Sequence, residues 1–216
     1  MARTRLYPLD DLLDVAEQIV TSADPAGLTL RALATASGAS NGTIYHAFRS
    51  KEELLARLWL RCSERLNSVT NEALEATHGG VESGVDAVVA VAQAPVVFAD
   101  RYPTSAQLFF AQRSEQLYSS DIAPEVRSAL EASRRRFVSR LRLLATGMWD
   151  RSDAVAVEAI TACVVDIPGG LLQRNLTTHG KVEGASGARI DAAVRAVLAL
   201  PLAPPPTRSN TKAKES

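Results

Sequence analysis

The chain has 216 residues, 46% of them hydrophobic and only 5% aromatic, with 24 basic and 24 acidic side chains. That length suits one or two domains with a buried core, and zero net charge leaves any affinity for nucleic acid to a local surface. No apolar run long enough to cross a bilayer is expected, and the opening MARTRLYPLDD lacks the apolar stretch of an export signal, so a cytoplasmic location is expected.

Helical periodicity runs through the chain and strand signals are nearly absent, which predicts an all-α fold. After a polar arm holding Arg3 and Arg5, a first helix is predicted over Leu9–Ser22, burying Leu12, Leu13, Ala16, Ile19 and Val20. Residues 29–48 then show two short helix patterns about a glycine. Thr29 is an N-cap candidate, Leu30, Leu33 and Ala34 share one face, and Gly38 suits a left-handed stop. Ser40 is a second N-cap candidate, and Ile44, Ala47 and Phe48 form the inward side of the next helix.

The outward side of that second helix carries Asn41, Gly42, Tyr45, His46 and Arg49, with Thr43 on the flank. It offers amide, hydroxyl, imidazole and guanidinium groups and no carboxylate. From Pro25 to Lys51 there is no Asp or Glu, although Asp10, Asp11, Asp14, Glu17 and Asp24 crowd the stretch before it. Local exclusion of acids is what a polyanionic partner requires. Gly42 costs roughly 1 kcal/mol of helix propensity, which suits close approach of another backbone. Tyr45 also fits a core position with a wet hydroxyl.

A fourth helix is predicted from Ser50, with Glu53 at the capping-box position, through Leu54, Leu55, Leu58, Trp59, Leu66 and Val69 toward His78. Further helices are predicted at about Val81–Asp100 with Pro95 as a kink or break, Ala106–Tyr118, Pro124–Thr146, Asp153–Leu176 and Ala188–Leu200. Residues 201–216, with four prolines, read as a disordered tail.

Three larger constellations stand out. Phe98, Tyr102, Phe109, Phe110, Tyr118, Phe137 and Trp149 gather most of the chain's large rings into its middle region, as a small-molecule pocket or as ordinary core. The 153–176 pattern is apolar on more than one side, which calls for burial on two sides. Ala159, Cys163 and Ile167 there, with Val194, Val197 and Leu198 of the last helix, are the expected interface with a second copy of the chain. Arg134, Arg135, Arg136, Arg140 and Arg142 form a charge run that reads as a solvated helix face. Cys62 and Cys163 form no metal-type pair and read as reduced thiols; no metal or cofactor is expected, and no HExxH or P-loop occurs.

The stretch from Leu33-Ala34 through Ser37-Gly38-Ala39-Ser40, Gly42, Tyr45, Phe48, Lys51 and Leu54 resembles the DNA-binding domain of the TetR family of bacterial transcriptional regulators. Ser37 and Ala39 stand where that family usually has Ala and Val, and Ala47 is smaller than usual. The resemblance implies a helix-turn-helix domain over residues 5–60, an effector-binding and dimerisation domain over 61–200, and a homodimer on a near-palindromic operator. It implies base-edge or phosphate contacts by Asn41 and Thr43, backbone contacts by Tyr45 and His46, and a phosphate contact by Lys51. Arg31, Ser40 and Gly42 complete the expected DNA surface. The function so implied is a repressor released by a small molecule. Two alternatives stand beside it: a DNA-binding protein without effector, and a helical small-molecule enzyme.

Overall fold

A computed structural model describes residues 8–22, 27–77, 84–111, 121–179 and 181–204. The expectations for Arg3, Arg5, Tyr118 and the tail beyond residue 204 lie outside the described residues. Among the described residues there is no strand. The helices are α1 (Leu9–Ser22), α2 (Leu30–Ser37), α3 (Asn41–Ala47), α4 (Lys51–Thr77), α5 (Gly84–Arg101), α6 (Pro103–Ala111), α7 (Pro124–Trp149), α8 (Ala154–Thr161), α9 (Ile167–His179) and α10 (Ser186–Leu198).

The first three helices close over one small core. Leu12, Ala16, Leu28, Leu33, Ile44, Phe48, Leu54 and Leu58 are all buried in it. The same cluster continues through Cys62 and Val69 into Phe98, Ala106 and Leu108. The N-terminal helices therefore share their apolar interior with α5 and α6, and α4 runs through both halves. A second core lies around α5, where Val88, Val91 and Ala92 meet Leu141, Ala145, Ile160, Cys163, Ile190 and Val194.

Two backbone irregularities shape this second core. Pro95 sits inside α5 without ending it, where a kink or break was expected. The 153–176 pattern is interrupted between α8 and α9 by a π-helical turn at Ala162–Asp166, with the Ile167 N–H reaching back to Ala162 O. The wide turn opens just before Pro168, whose ring would otherwise crowd the carbonyl of Val164.

One expectation needs correction. Ala154–Leu176, a run of 23 residues containing an 18-residue stretch of mean hydropathy 1.7, is by length and composition alone apolar enough to cross a membrane, although no such run was expected. In the fold it serves as a core segment, burying Ala156, Ile160, Cys163, Val164 and Leu172. The residues expected at an interface with a second copy differ in burial within the single chain. Cys163, Val194 and Leu198 are buried inside the chain's own second core, whereas Ala159, Ile167 and Val197 remain partly exposed. Helical spacing reveals an apolar stripe but not which neighbour covers it.

Candidate nucleic-acid interface

The helix-turn-helix is built by local hydrogen bonds. Thr29 caps α2 by accepting from the Ala32 N–H at 3.0 Å. Gly38 ends α2 at φ 69°, the left-handed conformation glycine adopts without strain. Two residues later Ser40 caps α3, its Oγ accepting from the Thr43 N–H at 3.1 Å. The Ser40 and Thr43 hydroxyls also bond each other at 2.9 Å. Ser40 therefore serves first as the cap of α3, and Thr43 keeps only part of its hydrogen-bonding capacity for other partners.

Burial then sorts the faces of α3. Ile44 and Phe48 have no exposed surface, while Tyr45 is 60% exposed, which rules out the core position its ring also suited. Asn41, Gly42, His46 and Arg49 are exposed beside it, and Thr43 is half-buried. A Cβ on Gly42 would meet only the Ser40 hydroxyl, at an unremarkable 3.7 Å. Nothing inside the chain demands glycine there, so the open backbone faces outward. Arg31 is exposed on α2, and Lys51 is half-buried as the first residue of α4.

The acids that precede this surface are partly consumed within the fold. Asp14 pairs with Arg61, and Glu17 pairs with Arg65 at 2.9 Å. Two of the carboxylates on α1 are thus matched by guanidinium groups of α4, while Asp10 and Asp11 stay exposed in its first turn, where they favour the helix dipole.

The start of α4 departs from the expected capping box. Ser50 Oγ does accept from the Glu53 N–H at 3.1 Å. The Glu53 carboxylate, 2% exposed, does not turn back to the cap. Its Oε2 accepts from the Ala123 N–H at 3.1 Å, and its Oε1 accepts from Arg57. The Ser50 hydroxyl donates to Asp121 O at 2.9 Å. The N-terminus of α4 is thereby tied to the N-terminus of α7, whose own cap position, Ala123, has no side chain to offer.

The rings of the middle region divide. Phe98, Tyr102, Phe109 and Phe110 come together with Trp59 of α4, which sequence reasoning had assigned only to a helix face. Trp59 stacks on Phe109 with centroids 5.4 Å apart, and Phe98 and Phe110 meet Phe109 edge-on. Phe137 does not join them: it is 44% exposed on α7. Trp149 packs against the second core instead. The arginine run is largely solvated, with Arg134, Arg135, Arg136 and Arg142 exposed. Arg140 instead donates to Asn71 Oδ1 at 2.7 Å. An open groove follows α7 between Glu131, Arg134, Arg135, Val138, Ser139 and Arg142 and contains none of the rings.

Residues 12–58 match the family profile of bacterial regulatory proteins, tetR family. No curated protein sequence matches the chain. Among solved structures, a tetR-family regulatory protein from Rhodococcus RHA1 superposes with a TM-score of 0.64 at 15% identity, covering 90% of this chain and 96% of that one. The TetR-family regulator PfmR from Thermus thermophilus gives 0.61 at 21% identity, with 88% and 97% covered. FadR from Bacillus subtilis, a transcriptional regulator solved in complex with stearoyl-CoA, gives 0.60 at 13% identity, with 87% and 96% covered. Residues 12–58 thus carry the tetR-family profile, and the chain shares an all-helical fold with these solved regulators along nearly its whole length.

Proposed function

We propose that the chain is a homodimeric, cytoplasmic transcriptional repressor that binds a near-palindromic operator and is released by a small molecule, and that it is not an enzyme. The observation that carries this reading is the outer face of α3: a 60% exposed Tyr45 beside exposed Asn41, Gly42 and His46, on a segment free of carboxylates. In this reading Asn41 and Thr43 read base edges, Tyr45 and His46 lie against the sugar-phosphate backbone, and Arg31 adds a phosphate contact. Lys51 fits the same role. A cation at the positive end of α4 opposes the helix dipole, and a phosphate there complements both.

One copy of a helix this short touches few bases. Two copies reading half-sites about one helical turn apart gain both affinity and specificity. Ala159, Ile167 and Val197, with the exposed Val165 and Leu200, form the surface that a second copy covers. Residues 5–60 act as the reading domain and 61–200 as the regulatory and dimerising domain.

The effector in this reading enters the ring cluster of Tyr102, Phe109 and Phe110, all partly exposed, and favours a state in which the rings part from Trp59. FadR of Bacillus subtilis, solved with stearoyl-CoA, supports a ligand-holding body of this fold. A ligand shifts the equilibrium only by preferring one state. The close stacking of the rings favours a second reading, a DNA-binding protein with no effector.

Selection of bound sequences from random duplex DNA, repeated with a metabolite panel, tests both. Enrichment of a near-palindrome that some metabolite abolishes supports the proposal. Enrichment that no metabolite alters favours the second reading, and no enrichment at all removes both.

A further inference from the structure

One side chain of α4 joins α1, α6 and the α5–α6 joint. Arg65, midway along α4, places Nη1 2.9 Å from both carboxylate oxygens of Glu17 on α1. The same Nη1 donates to Ser105 Oγ on α6. The Arg65 guanidinium also lies over the Tyr102 ring, 5.1 Å from its centroid. Tyr102 is the joint between α5 and α6, and its ring leans on Phe98 at 6.1 Å. Glu17 and Ser105 are buried, at 8% and 1% exposure. A charge pair so enclosed is strengthened by its surroundings and is costly to open halfway.

The geometry has a mechanical consequence. Residues of α1 pack on α6 as well as on α2, so α6 is a second support for the reading domain besides α4. The tie of Glu53 to Ala123 holds the start of α4 against α7. Arg65 lies about 18 Å further along α4. The reading domain is thus held at two separated points, by α7 and by α6. With one point fixed, the position of α6 at the other sets the tilt of α1–α3, and so the distance between the two α3 helices of a dimer.

We propose that Arg65 is a positioning residue for half-site spacing: its contacts with Glu17, Ser105 and Tyr102 lock the reading domain to α6, so that the dimer accepts one separation of half-sites. The inference rests on the DNA-binding reading above and adds to it the element that fixes spacing. Motion of the aromatic rings reaches α1 through this side chain.

The experiment is a binding selection on duplexes carrying two half-sites, taken from the wild-type consensus, with every spacer length represented. Wild type is compared with Ser105→Ala, which removes one hydroxyl, and with Glu17→Gln and Arg65→Met. Thermal midpoint and dimer mass verify folding, and Ser105→Ala decides if the other variants fold poorly. The expected result is an unchanged half-site sequence with relaxed spacing. Discrimination between the best spacer and its neighbours falls by roughly 3- to 10-fold, the size of coupling that a single network carries. Variants that keep the wild-type spacer profile overturn the role of Arg65 and leave the DNA reading standing. Failure of wild type to enrich any half-site overturns the DNA reading itself, and this inference with it.

Discussion

On the proposed function, each polar residue of the turn has its own task, and each task has its own signature. Ser40 holds α3 by its cap, so Ser40→Ala should lower stability by about 1 kcal/mol, measured by denaturant unfolding. Thr43, bonded to that cap, and Asn41 should instead control sequence preference. Substituting either is expected to cost about 1–3 kcal/mol at one base position and little at others. Lys51→Ala should weaken binding to every sequence alike and reduce the salt slope by about one, read from affinities at several salt concentrations. A different residue-scale prediction concerns the two cysteines. Burial, with help from the nearby Glu17 charge, pushes the Cys62 thiol up to about 12, and burial pushes Cys163 to about 11. Only the thiolate reacts readily. The folded protein at pH 8 should therefore resist alkylation at both, and denaturant should expose both together.

At the scale of elements, close helix crossings hold the body in shape. A Cβ on Gly84 would fall 2.6 Å from Gly147 O, whereas one on Gly147 would meet nothing within 4 Å. Gly84→Ala should therefore force α5 and α7 apart and cost about 1–3 kcal/mol. Gly147→Ala should be neutral or gain up to about 1 kcal/mol of helix propensity. Unfolding midpoints of the two variants make the comparison. Elements set by local chemistry were legible in advance: α1 spans Leu9–Ser22 as predicted, Thr29 and Ser40 cap, and Gly38 turns left-handed. Contacts made across the chain were not. Glu53 has the right spacing to turn back on Ser50, yet a partner 70 residues away takes its carboxylate. Arg65 and Trp59 carried no signal of their own, because their significance lies in Glu17, Ser105 and Phe109, which only folding brings to them. The π turn before Pro168 was likewise invisible, since periodicity does not report a change of hydrogen-bond register.

At the scale of the whole molecule, one shared core joins the reading helices to the ring cluster, with α4 passing through both. Such continuity suits a protein in which a change among the rings is felt at α3. The surface of α3 could be foreseen because exposure there follows from a seven-residue helix with one apolar side. The apolar stripe of the last helices said less, since Cys163, Val194 and Leu198 are covered from inside the chain. The account as a whole depends on the exposed face of α3 being the part that meets DNA. The most direct measurement is the affinity of a variant combining Asn41→Ala, Thr43→Ala, Tyr45→Ala and Lys51→Ala for the wild-type consensus duplex at one fixed salt concentration. The account predicts a folded dimer whose affinity has dropped to the level of random DNA. A folded dimer that holds the consensus as tightly as wild type would contradict it.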